Sequence, residues 1–117
     1  MTSFPHADSE KRSPRLRMAE VTPIVLRRPG GQRTTGKLQC VSLTGGLVVP
    51  DSLLPVGSLV NLIFVTSKGP IMGTAEMLHP VSWKEQPFRF AAIPDSHKDR
   101  LQALIQPAAR QMPRTEI

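Results

Sequence analysis

Cysteine is almost absent from this chain. Cys40 is the only one among 117 residues, so no internal disulfide forms and no thiolate metal cluster is available. That fits a reducing compartment, and a cytoplasmic setting is expected. Aromatic residues are nearly as scarce, with no Tyr, one Trp and four Phe. Barrels that bind single-stranded nucleic acid stack bases on aromatic platforms. Here Phe4 falls in a polar tail and Phe64, Phe88 and Phe90 read as core, so nucleic acid is not an expected partner. The first twenty residues hold no apolar run resembling a signal peptide. No stretch approaches the roughly 20 apolar residues of a membrane helix, so no membrane association is expected.

Catalytic signatures are missing too. There is no Gly-rich phosphate loop of the nucleoside-triphosphatase kind and no His-Glu-x-x-His zinc motif. His6, His79 and His97 have no acid or nucleophile at a telling spacing. The chain therefore reads as a non-enzyme, with no metal and no cofactor.

What the chain does have is positive charge at one end. Net charge is +6. Residues 1–37 hold eight Lys or Arg against three acids, which is +5, whereas 38–117 hold seven against six. A local field of that kind favours an anionic partner. Residues 1–10 are polar without periodicity and are expected to be disordered. A basic arm follows at 11–17, in which Pro14 argues against regular structure.

The remainder reads as short strands. Val21 to Arg28 is rich in β-branched residues and gives a first strand. Pro29-Gly30-Gly31-Gln32 is a turn signal. Arg33 to Leu43 and Leu47 to Val49 form a hairpin around Thr44-Gly45-Gly46, where both glycines are free to take positive φ. Leu59 to Thr66 is nearly all apolar, as for a strand covered on both faces. Ile71 to Leu78 and Phe88 to Ile93 complete six strands, the last with Phe88, Phe90 and Ala92 on one face. In the Pro50–Ser58 loop, Leu53 and Leu54 are expected to plug a barrel end. Trp83 lies in a polar connection and is expected to pack over a barrel end rather than stack on a base. Asp95 or Ser96 caps a helix whose stripe is Leu101, Leu104, Ile105 and Ala108, with Pro107 ending it near Gln106. The domain spans 11–106, and 107–117 is a frayed tail. Short antiparallel strands joined by turns point to a barrel, with the helix over an opening or seam.

The arm and the hairpin together carry the remaining signal. Lys11-x-x-x-Arg15 is followed about 25 residues on by Cys40-x-Ser42-x-x-Gly45. This pair resembles the motifs of the PilZ family, Arg-x-x-x-Arg and then (Asp/Asn)-x-Ser-x-x-Gly. The resemblance covers roughly residues 10–106. It implies a mainly β fold: a six-stranded antiparallel barrel with a short C-terminal helix and a flexible N-terminal arm. It also implies binding of the bacterial second messenger cyclic di-GMP, with Lys11, Arg12, Arg15, Cys40, Ser42 and Gly45 as the ligand-binding residues. Arg offers a planar fork to phosphate or to guanine O6/N7, Ser42 a hydroxyl, and Gly45 a close backbone approach. Two positions depart from the pattern. Lys11 stands where the first Arg is expected and lacks the fork. Cys40 stands where the acid is expected, and a thiol is a poor acceptor. Those departures motivate an alternative, a PilZ-like adaptor that does not bind the nucleotide and works through a protein partner.

Overall fold

Every strand among the described residues has an antiparallel neighbour on each side, and the sheet closes on itself. The computed structural model describes residues 15–110. Strands β1 (Arg15–Arg27), β2 (Arg33–Ser42), β3 (Gly45–Pro50), β4 (Leu59–Thr66), β5 (Gly69–Met77) and β6 (Gln86–Ala92) precede one helix, α1 (Asp95–Arg110). The closed order is β1-β2-β3-β6-β5-β4. Closure removes free sheet edges, and a six-stranded interior is narrow enough for side chains to fill.

The core follows from the two-residue period of a strand. Val60, Leu62 and Phe64 of β4 point inward, as do Ile24 and Leu26 of β1, Ile71 and Ala75 of β5, and Phe88 of β6. Leu101 and Ile105 of α1 join the same cluster, so the helix covers the barrel interior rather than standing apart. Phe90 packs edge-on against Phe88, with ring centroids 5.4 Å apart.

Several sequence expectations need correction. β4 is not covered on both faces: Leu59 is 50% and Val65 67% exposed, because a closed barrel buries only its inner face. β1 starts at Arg15, six residues before Val21, so Arg15-Leu16-Arg17 of the basic arm is itself strand. The arm and barrel halves of β1 are separated. Arg17 pairs with Cys40 and Thr22 with Leu38, so residues 18–21 stand opposite Gln39 alone. Pairing of β1 with β4 begins only at Ile24, just past Pro23, which has no N–H to donate. Ala92 is exposed rather than aligned inward with Phe88 and Phe90. Ala75 pairs with Phe90 and Thr74 with Ala92, so Ala91 is an extra residue that flips the parity. The helix begins one residue early, with the Pro94 carbonyl accepting Lys98 N–H at 2.8 Å. It also continues past Pro107 to Arg110. A proline there removes one N–H but leaves the preceding turns hydrogen-bonded.

One buried polar side chain fastens the loops to the barrel. Gln86 has no exposed surface. Its Oε1 accepts Leu54 N–H at 2.9 Å, and its Nε2 donates to the carbonyls of Leu54 at 2.8 Å and Leu78 at 2.9 Å. Leu54 is thereby held as the buried plug, while Leu53 remains 39% exposed. A buried amide with all its partners stabilises, whereas orphaning those partners is expensive. Replacing Gln86 with Leu leaves both Leu54 groups and the Leu78 carbonyl without this partner. The expected loss is about 3 kcal/mol, a fall in Tm of roughly 10–20 °C for a domain of this size. Thermal unfolding followed by circular dichroism reads it directly.

Candidate functional site

The turn between β2 and β3 is built by the hydroxyl of Ser42. Its Oγ accepts Thr44 N–H at 3.2 Å and Gly45 N–H at 3.3 Å, and donates to the Gly45 carbonyl at 3.2 Å. The Thr44 hydroxyl lies 3.1 Å away. This is a serine-centred turn, in which a side chain supplies partners that the backbone cannot find.

Gly45 is required at the next step, but not for the reason the hairpin suggested. Neither Gly45 nor Gly46 has positive φ; Gly31, Gly57 and Gly69 do. Gly45 instead sits where β3 meets β6, paired with Arg89. A Cβ on Gly45 would lie closer than 3.0 Å to the Phe88 carbonyl oxygen. The Thr44 carbonyl then accepts Phe90 N–H at 2.9 Å and completes the junction.

The register of β1 against β2 brings the arm to this turn. Arg15 is opposite Ser42 and Arg17 opposite Cys40. Directly opposed residues share a face, and Leu16, on the other face, packs against the core. Arg15 and Arg17 are exposed, whereas Cys40 and Ser42 are only 7% and 6% exposed. A groove of about 480 Å³ opens here, lined by Arg15, Cys40, Ser42, Gly45, Val81 and Arg89, among others. The structure therefore brings Arg15, Cys40, Ser42 and Gly45 together. Lys11 and Arg12 lie outside the described residues.

Arg89 was not singled out in the sequence. It sits across from Gly45 and points outward, with its guanidinium 2.5 Å from the Glu76 carboxylate in a pair that is largely exposed. The available signal was a lone cation alternating with Phe88 and Phe90. A larger groove of about 660 Å³ runs over the opposite wall, lined by Val25, Ile63, Met72 and Arg27. It holds none of the expected site residues. Among the described residues, no group of three or more His, Cys, Asp or Glu is gathered as a metal would need. His97 is occupied structurally, its Nδ1 accepting Met72 N–H at 3.1 Å.

No family model and no curated protein matches this sequence. Solved structures do match its shape. The PilZ domain of YcgR from Escherichia coli, in a structure with c-di-GMP, superposes with a TM-score of 0.65 at 14% identity, over 88% of this chain and 96% of that one. The PilZ domain of CeSA from a cellulose-synthesising bacterium gives 0.62 at 14% identity, over 81% and 97%. This chain has the PilZ-type fold. The Bacillus subtilis inhibitor of motility MotI/DgrA gives 0.63 at 22% identity, over 89% of this chain and 52% of that one.

Within that fold Arg15, the one described residue of the first motif, meets the second motif at one seam of the barrel, the start of β1 lying beside the β2–β3 turn. Gly45→Ala is expected to destabilise the PilZ-type barrel by about 1–3 kcal/mol, because the added methyl must push β6 away. Chemical denaturation measures this, and Thr44→Ala, at an exposed position, should shift the midpoint far less.

Proposed function

We propose that this chain is a non-enzymatic receptor for cyclic di-GMP, which it holds between the N-terminal basic arm and the Cys40-x-Ser42-x-x-Gly45 hairpin. The observation that carries the reading is the cross-strand register. It sets Arg15 and Arg17 against Ser42 and Cys40 on the face that opens into the 480 Å³ groove. Arg89 adds a third guanidinium at the far wall. Two phosphates and two guanines are the ligand's chemical features, and Arg engages both kinds, by a bidentate fork or by stacking. In sequence, Lys11 and Arg12 add two further cations just ahead of β1. The likeness to a PilZ domain solved with c-di-GMP supports the ligand class. Among the described residues no helix is long and apolar enough to cross a membrane.

Two local features weigh on affinity. The Ser42 hydroxyl is already engaged in three bonds within the turn. A ligand contact there must share or displace one of them. Cys40 offers a weak acceptor where a carboxylate would take charge-assisted bonds. These two features favour a second reading, an adaptor that keeps the barrel and works through a protein partner without the nucleotide.

Calorimetric titration with cyclic di-GMP, using GTP as control, separates the two readings. The receptor reading expects saturable, nucleotide-specific heat that Arg15→Ala abolishes. Cys40→Asp, opposite Arg17, is expected to tighten binding about ten- to hundredfold, the equivalent of one charge-assisted bond. A flat trace for wild type and for Cys40→Asp alike removes the receptor reading and moves the weight to the adaptor, whose protein partner is then sought.

A further inference from the structure

The outer wall of a closed barrel meets water, so its strands should carry polar residues at every outward position. On three neighbouring strands they do not. Val25 of β1 stands opposite Ile63 of β4, and Ile63 stands opposite Met72 of β5. All three line the 660 Å³ groove. They form one apolar row across the outer face, about 10 Å from end to end at the spacing of adjacent strands. Val65, opposite Pro70, continues the apolar surface two residues further along β4. β4 is the clearest case, because Ile63 and Val65 take outward positions while Val60, Leu62 and Phe64 already fill the core. A contiguous apolar patch of this kind marks a contact surface.

The two ends of the row carry opposite charge. At the β1 end, Arg27 lines the groove two residues from Val25. At the β5 end, Ala92, Ile93 and Pro94 form the other bank, and Asp95 follows at the start of α1. That bank is tied to the row, since Met72 N–H donates to His97 Nδ1 at 3.1 Å. Arg27 and Asp95 are both exposed. Among the described residues neither has an ion-pair partner; the one pair is Arg89 with Glu76. Arg100 of α1 is engaged elsewhere, donating to the Pro70 carbonyl.

Such a surface is self-complementary. A two-fold axis through Ile63 sets Val25 over the partner's Met72 and Ile63 over the partner's Ile63. The same rotation carries Arg27 towards the partner's Asp95, and does so at both ends. An acidic partner would suit Arg27 but leave Asp95 against like charge, and a basic partner the reverse. A second copy of this chain, turned by half a revolution, suits both. We propose that this face is a homodimer interface, in which the β1–β4–β5 outer walls of two copies pack sheet against sheet. The pairing is independent of the receptor reading, because the 660 Å³ groove holds none of the residues assigned to the nucleotide. Three strands give a footprint of about 15 Å by 25 Å, roughly 400 Å² a side. That lies at the low end for specific pairs, so a weak, concentration-dependent dimer is expected.

Sedimentation equilibrium of the full chain without nucleotide, from micromolar to millimolar concentration, tests it. Wild type is expected to pass from monomer to dimer across that range. Met72→Asp, at a 43% exposed position, is expected to abolish the dimer. Arg27→Asp and Asp95→Arg are each expected to weaken pairing at least about fivefold, because the two-fold repeats the contact and reversal turns attraction into repulsion. The double reversal is expected to restore pairing to the wild-type level. Trp83→Ala is the control: the indole is exposed on the β5–β6 connection rather than packed over a barrel end, and its loss should leave the dimer unchanged. A wild-type chain that stays monomeric at millimolar concentration overturns the proposal. So does a dimer that survives Met72→Asp, one that the double reversal fails to restore, or one lost in Trp83→Ala. Thermal melts confirm that each variant keeps the barrel, and Val65→Lys, on the same face, replaces Met72→Asp if that variant melts early.

Discussion

The barrel depends on how closely β3 can approach β6. The pair is joined over only four residues, Gly45 to Val48 against Arg89 to Gln86. At that seam the backbone oxygen of Phe88 occupies the space that a Cβ on Gly45 would need. The absence of a side chain lets the sheet close, and closure gives the inner faces of all six strands a common interior to fill. Most of the stabilising burial, from Ile24 to Phe88, is contingent on that contact. The serine turn is its necessary companion. Without the Ser42 hydroxyl accepting the Thr44 and Gly45 N–H groups, two donors at the tightest point of the chain would lose their local partner.

It follows that Ser42 and Gly45 each have a structural reason to be where they are, whatever they bind. A sequence that keeps this turn while changing its first position keeps the barrel. The residues free of architectural duty are therefore the better reporters of ligand chemistry. Arg15 and Arg17 are exposed, and Arg89 holds only a solvent-screened partner, whose contribution to stability is small. Cys40 is intermediate. It is buried, yet it stands outside the core cluster, on the face shared with the arginines. Its chemistry can change without emptying the core.

Much of the fold was legible in the sequence, for reasons that are local. The run from Leu59 to Thr66 matched its strand residue for residue, because an apolar β-branched segment between two turn signals has few other options. The Pro29–Gln32 turn was legible through its glycines, and Gly31 does take positive φ. The helix stripe was legible because Leu101 and Ile105 repeat at the helical period. What escaped was set by neighbours distant in sequence. Gln86 read as part of a polar loop, since nothing local marks an amide whose partners lie 8 and 32 residues away. Ala92 kept the strand period on paper, and only the one-residue shift against β5 turned it outward. The arm was read as irregular because of Pro14, and nothing local showed that the strand starts directly after it, at Arg15, on a partner that leaves one face open.

The candidate site divides the same way. Its motif positions could be read, since order and spacing are linear properties. Its walls could not, because Leu78, Val81 and Arg89 come from residues more than thirty-five positions downstream of Ser42. The wall residues also differ in kind from the motif residues. The turn at Ser42 has its hydrogen bonds filled in the folded chain, whereas Arg15 presents open charge, and Trp83, expected to pack over a barrel end, is instead exposed. Free energy for binding must come from groups that gain contacts, not from groups that exchange one satisfied bond for another. The arginines meet that condition, and the serine does not. In the receptor reading the hairpin therefore shapes and positions the groove, and the attraction comes from the flanking arginines.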